Sequence, residues 1–426
     1  MQYRFIPELT EEETIDLQLN GLRWTIHHAS KGCPQYRKKL KEAGVNPEDI
    51  KTLKDLQYLP FTTVDDLREG YPFPLLAVSE SEVVRVHTSS GTTGKRKVLA
   101  YTKKDINIWK TMLARCFELA GLSTLDRVQI AVGYGLWTAG AGFQLGCEHF
   151  GAMALPVGPG NLELQLQILT DLKATCLCST ASMALLLAEQ VNQHNLKNKI
   201  ALKKAIFGAE PHTPKMRQYI EDALGLEDSF DIPGLTELYG PGTGLECQAH
   251  TGIHYWADIF IIEIIDPNTL KPVEEGQVGE MVVTTLCKEA VPLIRYRTRD
   301  LTRLIPGKCA CGLNLPRHDK IFGRSDDMFI FRGVNIYPSQ LVNILEQFPE
   351  LSSEYQIQLT RNQGLDQMTL KVEIKKDTKI PEHLSKAIEQ QIKSKILVSC
   401  KVEILSHGEL PRSFGKSKRI IDHRQT

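Results

Sequence analysis

The chain has 426 residues, with 42% hydrophobic and 24% charged positions and equal numbers of basic and acidic side chains, 51 each, for a net charge of zero. That length suggests two or three domains with a sizeable core. Zero net charge argues against nucleic acid or an anionic membrane as a bulk partner, so any anion must be held by a local site.

The N-terminus, MQYRFIPELTEEETIDLQ, is charged and lacks an apolar core, so no signal peptide is read there. No apolar run reaches the length of a membrane span. The ten cysteines are scattered, which favours reduced thiols and a cytoplasmic protein over a disulfide framework. Residues 11–45 carry spaced apolar positions that end at Gly44 and predict helix. Between about Val83 and Pro272, short apolar runs alternate with amphipathic ones. RVQIAVGYG, TCLCST and KKAIFGAE read as strands, while LELQLQILTDLKA and MALLLAEQVNQHN read as helices. That alternation predicts an α/β fold with a mainly parallel sheet. FIIEIIDPNTLKPVEEGQVGEMVVTTL reads instead as antiparallel strands, with turns at Asp266-Pro267-Asn268 and Glu275-Gly276. After GRSDDMFIFRGVNIYPSQ a second β/α alternation predicts a small α/β domain of about a hundred residues. We place a large domain at 1–325, whose first 80 residues are helical, and a small one at 326–426.

The segment RVHTSSGTTGKRKVLAYT sets Ser89, Ser90, Thr92, Thr93 and Lys95 around Gly91 and Gly94. Such a loop can wrap a phosphate chain with amides, hydroxyls and one ammonium. It is not a P-loop: Ser89 stands where the first glycine belongs, and Arg96 follows Lys95. Taken alone, its alternative reading is a solvated basic turn.

The order of motifs along the whole chain is what carries identification. SSGTTGK (89–95), GYGLWTAGAG (133–142), GAEP (208–211), DIPGLTE (231–237), RYRTRDLT (295–302), GRSDDMFIFRGVNIYPSQ (323–340) and LPRSFGKSKR (410–419) occur in sequence. In this the chain resembles the phenylacetate–coenzyme A ligase family of the adenylate-forming superfamily.

The resemblance implies a large AMP-binding domain, a small mobile lid domain, and an acid–thiol ligase reaction. ATP activates an aryl carboxylate, phenylacetate being the first to try, as an acyl-adenylate with release of pyrophosphate. Coenzyme A then displaces AMP. It further implies that the 89–95 loop clasps the phosphates, that Thr236 meets the α-phosphate and that Glu237 holds Mg²⁺. Gly208, Ala209, Glu210 and Pro211 would wall the adenine, with Asp231 also on the nucleotide. Asp300 would accept from the ribose hydroxyls, and Arg324 would face the nucleotide. Asp326 would be the hinge, and Gly333 would face the pantetheine channel. Lys416 would bridge the carboxylate and the α-phosphate, a task suited to a compact ammonium. Tyr134, Gly135, Trp137, Ala139, Gly140, Pro233 and Gly234 would form the acid pocket, the glycines leaving room for a flat ring. A homodimer is implied as well.

One position departs from the family pattern. Pro233 stands where an aromatic residue usually stacks near the adenine, and Tyr239 is the nearest ring that could replace it. For residues outside any such role, Asp300 reads as a surface ion pair with Arg297, Arg299 or Arg303, Thr-Glu as a helix start, and Lys416 as one cation of a basic tail.

Cys309 and Cys311 in CACG, with Cys247 and His254, suit tetrahedral zinc, His250 being the substitute ligand. C-x-C is tighter than the common C-x₂-C spacing, and free thiols are the alternative. Cys176 and Cys178 read as core residues. Competing functions are an adenylate-forming enzyme for another aromatic acid, AMP transfer without coenzyme A, and a nucleotide-binding protein without catalysis.

Overall fold

A computed structural model describes residues 3–89, 96–332, 334–362, 365–376, 378–412 and 419–424. Ser90 to Lys95, Gly333 and Lys416 therefore lie outside the described residues.

Two helices open the chain, α1 (Glu11–Gly32) and α2 (Pro34–Glu42). Thr10 and Glu13 form a reciprocal capping box that starts α1. Pro34 ends it, because a proline forces the preceding residue out of the helical region, and Cys33 is extended at φ −111°. The expected helical region is thus two helices with a corner.

The centre is a five-stranded parallel sheet. Its spatial order is Met153–Leu155, Arg127–Ala131, Cys176–Thr180, Lys204–Gly208 and Asp228–Ile232. Side chains alternate between two cores, as period-two geometry requires. Val128, Ile130, Cys176, Cys178, Ile206 and Phe230 face the first core, with Trp109 and Phe117 of α3 (Lys103–Leu119) and Phe143 of α4 (Thr138–Phe150). Leu177, Ala205 and Phe207 face the second. There they meet Leu169 of α5 (Leu162–Asp171), Leu187 of α6 (Ala181–Gln193) and Ile220 of α7 (Pro214–Leu224). Cys176 and Cys178 are core residues, as read from the sequence.

An antiparallel sheet follows, ordered Phe260–Ile265, Gly279–Thr285, Tyr296–Thr302 and Gly323–Arg324. Helix α1 docks on it through Thr25, whose hydroxyl donates to the Thr285 carbonyl at 2.7 Å. A second small sheet joins Gly244–Glu246, Ile253–Tyr255, Arg317–His318 and Leu304–Ile305.

The last part has its own core. Strands Lys401–Leu405, Leu365–Ile374, Leu351–Asn362 and Ile420–Asp422 form one mixed sheet. Helices α8 (Pro338–Leu345) and α9 (Leu384–Ile396) bury Leu341, Ile344, Ile388 and Ile392 against it. No helix among the described residues is long and apolar enough to cross a membrane.

Candidate active site

Open α/β sheets bind ligands beyond the carboxyl ends of their strands. Three of the sequence motifs emerge there: 133–142 follows Arg127–Ala131, 209–211 follows Lys204–Gly208, and 233–237 follows Asp228–Ile232. A fourth arrives on an antiparallel hairpin, Arg85–Thr88 with Val98–Tyr101, whose connection is 89–97. The hairpin is tied to the first motif by the Thr88 amide, which donates to the Leu136 carbonyl at 2.8 Å.

The turn Thr236–Leu238 sits on a buried polar floor. Tyr101 Oη donates to the Thr236 carbonyl at 3.0 Å. Glu237 Oε1 accepts from Lys97 Nζ and, at 3.0 Å, from Tyr296 Oη. Burial raises the Glu237 carboxyl, but the Lys97 ammonium and the two donors outweigh it and hold the group below its ordinary range. Below this turn lies Lys288, fully buried, its Nζ without a hydrogen-bond partner among the described residues. It is held 4.2 Å from the Tyr101 ring and 4.1 Å from the Tyr239 ring. Cation–π contacts of this desolvated kind are worth about 2 kcal/mol each. Burial lowers the lysine to about 8, against the opposing pull of Asp105. Asp105 itself accepts from the amides of Glu289, Ala290 and Thr102 at 2.8, 3.0 and 3.0 Å.

Tyr239 therefore does not replace the missing ring at Pro233. It is fully buried at φ +76°, its hydroxyl directed at Asp105 (3.4 Å), and it belongs to the floor. Pro233 is half-buried and its carbonyl accepts from the Gly242 amide at 3.2 Å. Gly234 is exposed, and a Cβ there would strike the Gly240 backbone across a tight hairpin.

The 133–142 segment corrects a second expectation. Gly140 does not leave space for a ligand: an added Cβ would fall 2.6 Å from the Tyr134 ring and 2.8 Å from the Gly133 carbonyl, so its open side is already filled. Ala139 is likewise in the main core. Gly135 is exposed at φ +79° with nothing within 4 Å of an added Cβ. The Trp137 ring lies over Gly133. Tyr134 Oη and Ser89 Oγ are buried and without hydrogen-bond partners among the described residues. Orphaned polar atoms of this kind are expected where a ligand supplies the partner.

At 208–211, a side chain on Gly208 would collide with the Ile232 carbonyl, and Ala209 adopts φ +70°. Glu210 is turned inward: its carboxylate accepts the Ser182 amide at 2.6 Å in the first turn of α6, where the helix dipole favours a negative charge. It fixes the wall and does not present its carboxylate outward. Pro211 is exposed. Asp231 lies beside Gly208, and its carboxyl is raised by burial.

Asp300 and Arg324 are register partners on neighbouring strands. Arg324 Nη1 donates to Asp300 at 2.9 Å while its Nε and Nη2 fork onto Asp326 at 2.9 and 3.1 Å. The arginines expected as Asp300 partners go elsewhere: Arg297 and Arg299 to Glu280, and Arg303 to Asp319.

Cys247, His254, Cys309 and Cys311 come together, their ligand atoms all within 4.8 Å of one another. Cys247 and Cys309 Sγ are 3.6 Å apart, and Cys311 Sγ is 3.3 Å from His254 Nε2. Tetrahedral Zn–S bonds of about 2.3 Å put two sulfurs about 3.8 Å apart, so the donor set fits zinc. His254 Nδ1 lies 3.0 Å from the Leu315 carbonyl; donation there leaves Nε2 as the ligand atom. His250 is not a substitute ligand. Its ring nitrogens lie 3.0 Å from Asp228 and 3.3 Å from Glu246.

Comparison with known proteins agrees with this geometry. Residues 23–287 match the AMP-binding enzyme family, and 333–424 match the AMP-binding enzyme C-terminal domain. The phenylacetate–coenzyme A ligase of Escherichia coli K12 is 42% identical over 97% of this chain and 95% of its own. A crystal structure of 2-hydroxyisobutyryl-CoA ligase in the postadenylation state, in complex with R3-HIB-AMP, superposes with a TM-score of 0.89 at 28% identity. It covers 100% of this chain and 96% of that one. The same ligase in the thioesterification state, with 2-HIB-AMP and CoA, gives a TM-score of 0.73 at 29% identity over the same shares. The chain belongs to the AMP-binding enzyme family, among its phenylacetate–coenzyme A ligases.

Proposed function

We propose that the protein ligates an aryl carboxylic acid, phenylacetate first, to coenzyme A at the expense of ATP. The carrying observation is that the base of the 89–97 hairpin contacts the Thr236–Glu237 turn directly, and that Tyr296 joins this turn to the strand that carries Asp300 and its partner Arg324. That site lies in a chain 42% identical over nearly its full length to a phenylacetate–coenzyme A ligase.

In the first step a carboxylate oxygen attacks the α-phosphorus, an O–P bond forms and the bond to pyrophosphate breaks. The hydroxyls and amides of 89–95 hold the phosphates, and Lys416 neutralises the two converging anions. Thr236 and the preorganised floor keep the reacting phosphate in place. Asp300 takes the ribose hydroxyls, and Gly208 to Pro211 with Asp231 wall the base. Mg²⁺, whose ligands are hard oxygens, would take Glu237 and offset charge on the departing phosphates. In the second step the coenzyme A sulfur attacks the acyl carbon, the thiol proton is lost and AMP departs as the acyl C–O bond breaks. Gly333 would border the thiol's path, with Asp326 as the pivot between domains 1–325 and 326–426.

Zinc at Cys247, His254, Cys309 and Cys311 is structural in this reading, since four protein ligands close its coordination. The free thiols fit a cytoplasmic setting, and homodimer assembly follows the family resemblance.

Acid-dependent pyrophosphate release, measured over a panel of aryl acids with and without coenzyme A, tests the proposal. Phenylacetate should give release and a thioester. Release without thioester would redirect it to AMP transfer, and no release with any acid would reduce the protein to a nucleotide binder.

A further inference from the structure

The described residues place one acidic side chain of the large domain against the stem of the 413–418 segment. Glu189, on α6, accepts from Arg412 Nη2 at 3.2 Å and Nε at 3.5 Å, and lies 3.4 Å from His407 Nε2. Arg412 is already fixed within the small domain. Its Nη1 and Nη2 reach the fully buried Glu373 carboxylate at 3.0 and 2.7 Å, and that carboxylate also accepts the Leu410 amide at 3.2 Å. The arginine is thus a rigid fork with one face bound at home and the other offered across the domain boundary. A second cross-boundary contact lies nearby, where Lys215 of α7 donates to the Glu346 carbonyl at 2.6 Å.

A cleft of about 280 Å³ opens between α6, α7 and the small domain, bordered by Leu185, Met216, Leu345 and Phe348. The charged and polar contacts beside this cleft are therefore candidates for selecting the domain pose. The pose is the one that superposes better on the postadenylation structure than on the thioesterification structure, 0.89 against 0.73.

We infer that Glu189 is a positioning residue for the adenylate-forming pose: it latches Arg412 and His407 and so holds the small domain against α6. It touches no substrate and acts only through the domain equilibrium. A contact present in one pose and absent from another shifts their ratio by its full differential free energy. Losing this one should depopulate the pose about five- to thirtyfold.

The inference rests on the ligase reading for its kinetics but not for its geometry, and the test uses both. Glu189→Gln, Glu189→Asp and wild type are compared in pyrophosphate–ATP exchange and in thioester formation from supplied acyl-adenylate. Exchange should fall five- to thirtyfold in Glu189→Gln, recover partly in Glu189→Asp, and leave the thioester step unchanged or faster. Spin labels introduced as unnatural residues at the exposed Gln193 and Gln390 report the domain distance independently of any chemistry. Glu189→Gln should broaden or shift that distance at an unchanged melting midpoint. An unaltered distance distribution, or equal loss in both half-reactions, overturns the latch. Wild type that exchanges no pyrophosphate while the distance still shifts would sink the ligase reading and leave the latch standing.

Discussion

The floor beneath Thr236–Glu237 and the boundary around Glu189 are built on opposite principles. In the floor, Lys288, Tyr101, Tyr239 and Tyr296 are buried, and each polar contact is backed by another buried group. At the boundary the paired side chains of Glu189 and Arg412 keep 16% and 18% exposure and flank an open cleft. The floor belongs where charge must meet donors that are already in place, since reorganisation there would cost rate. The boundary belongs where a contact must form and break once per turnover. Rigidity and looseness are thus assigned by task within one chain.

Lys416→Ala and Glu237→Gln should separate these two regions most sharply. Lys416→Ala should cost pyrophosphate exchange about 10³-fold while largely sparing thioester formation from supplied adenylate. Glu237→Gln, in the fixed region, should lower exchange about 10²-fold. It should leave the domain distance unchanged. Equal loss in both half-reactions for Lys416→Ala would contradict the two-pose reading.

Next in size is the cluster of Cys247, His254, Cys309 and Cys311, which lies outside both regions. Wild type should carry about one zinc per chain by elemental analysis, and Cys309→Ser should lose it and about 3 kcal/mol of stability in denaturant titration. Zinc-free wild type with an unchanged melting midpoint after chelation would return the cluster to four unmetallated side chains.

How much of this was legible in the sequence follows from contact range. The three strand-end motifs are local: each combines an apolar run with the glycines of the turn after it, and the structure sets them side by side. The cluster of Cys247, His254, Cys309 and Cys311 was legible because cysteine and histidine are rare enough to be matched across distant segments. The floor and the latch were not. Lys97 meets Glu237 across 140 positions and Arg412 meets Glu189 across 223. An isolated lysine or glutamate carries no mark of such a partner. Lys288 in TTLCKEAVP carries no local mark of burial, and only the fold shows the two rings around it. Gly140 was misread for a related reason, since a missing side chain looks the same whether a ligand or a tyrosine fills the gap.

The floor's rigidity can be read through pH. With Lys288 lowered to about 8 from 10.5, the folded protein sheds a proton that the unfolded chain retains up to 10.5. Stability contributed by this group therefore rises with pH between those values, by about 2 kcal/mol from pH 7.5 to 9.5. Lys288→Met should remove that rise. Urea titrations at the two pH values compare the variant with wild type, and identical pH slopes would mean that Lys288 is not held as a desolvated cation.

The smallest effect probes the edge of the site, where two glycines of the 133–142 segment should fail differently. Gly135→Ala meets no atom within 4 Å but must hold φ +79°, so its cost of about 1–2 kcal/mol falls on stability, with little change in KM for the acid. Gly140→Ala meets the Tyr134 ring at 2.6 Å and the Gly133 carbonyl at 2.8 Å. The carbonyl accepts the Gly140 amide at 2.9 Å, so the backbone must shift as well as the ring. Displacing it should raise KM for phenylacetate roughly fivefold, about 1 kcal/mol, with kcat nearly unchanged. A panel of smaller and larger aryl acids distinguishes the cause. If Tyr134 borders the acid, the penalty in Gly140→Ala grows with ring size; if every acid suffers alike, Tyr134 only supports the turn and the acid lies elsewhere.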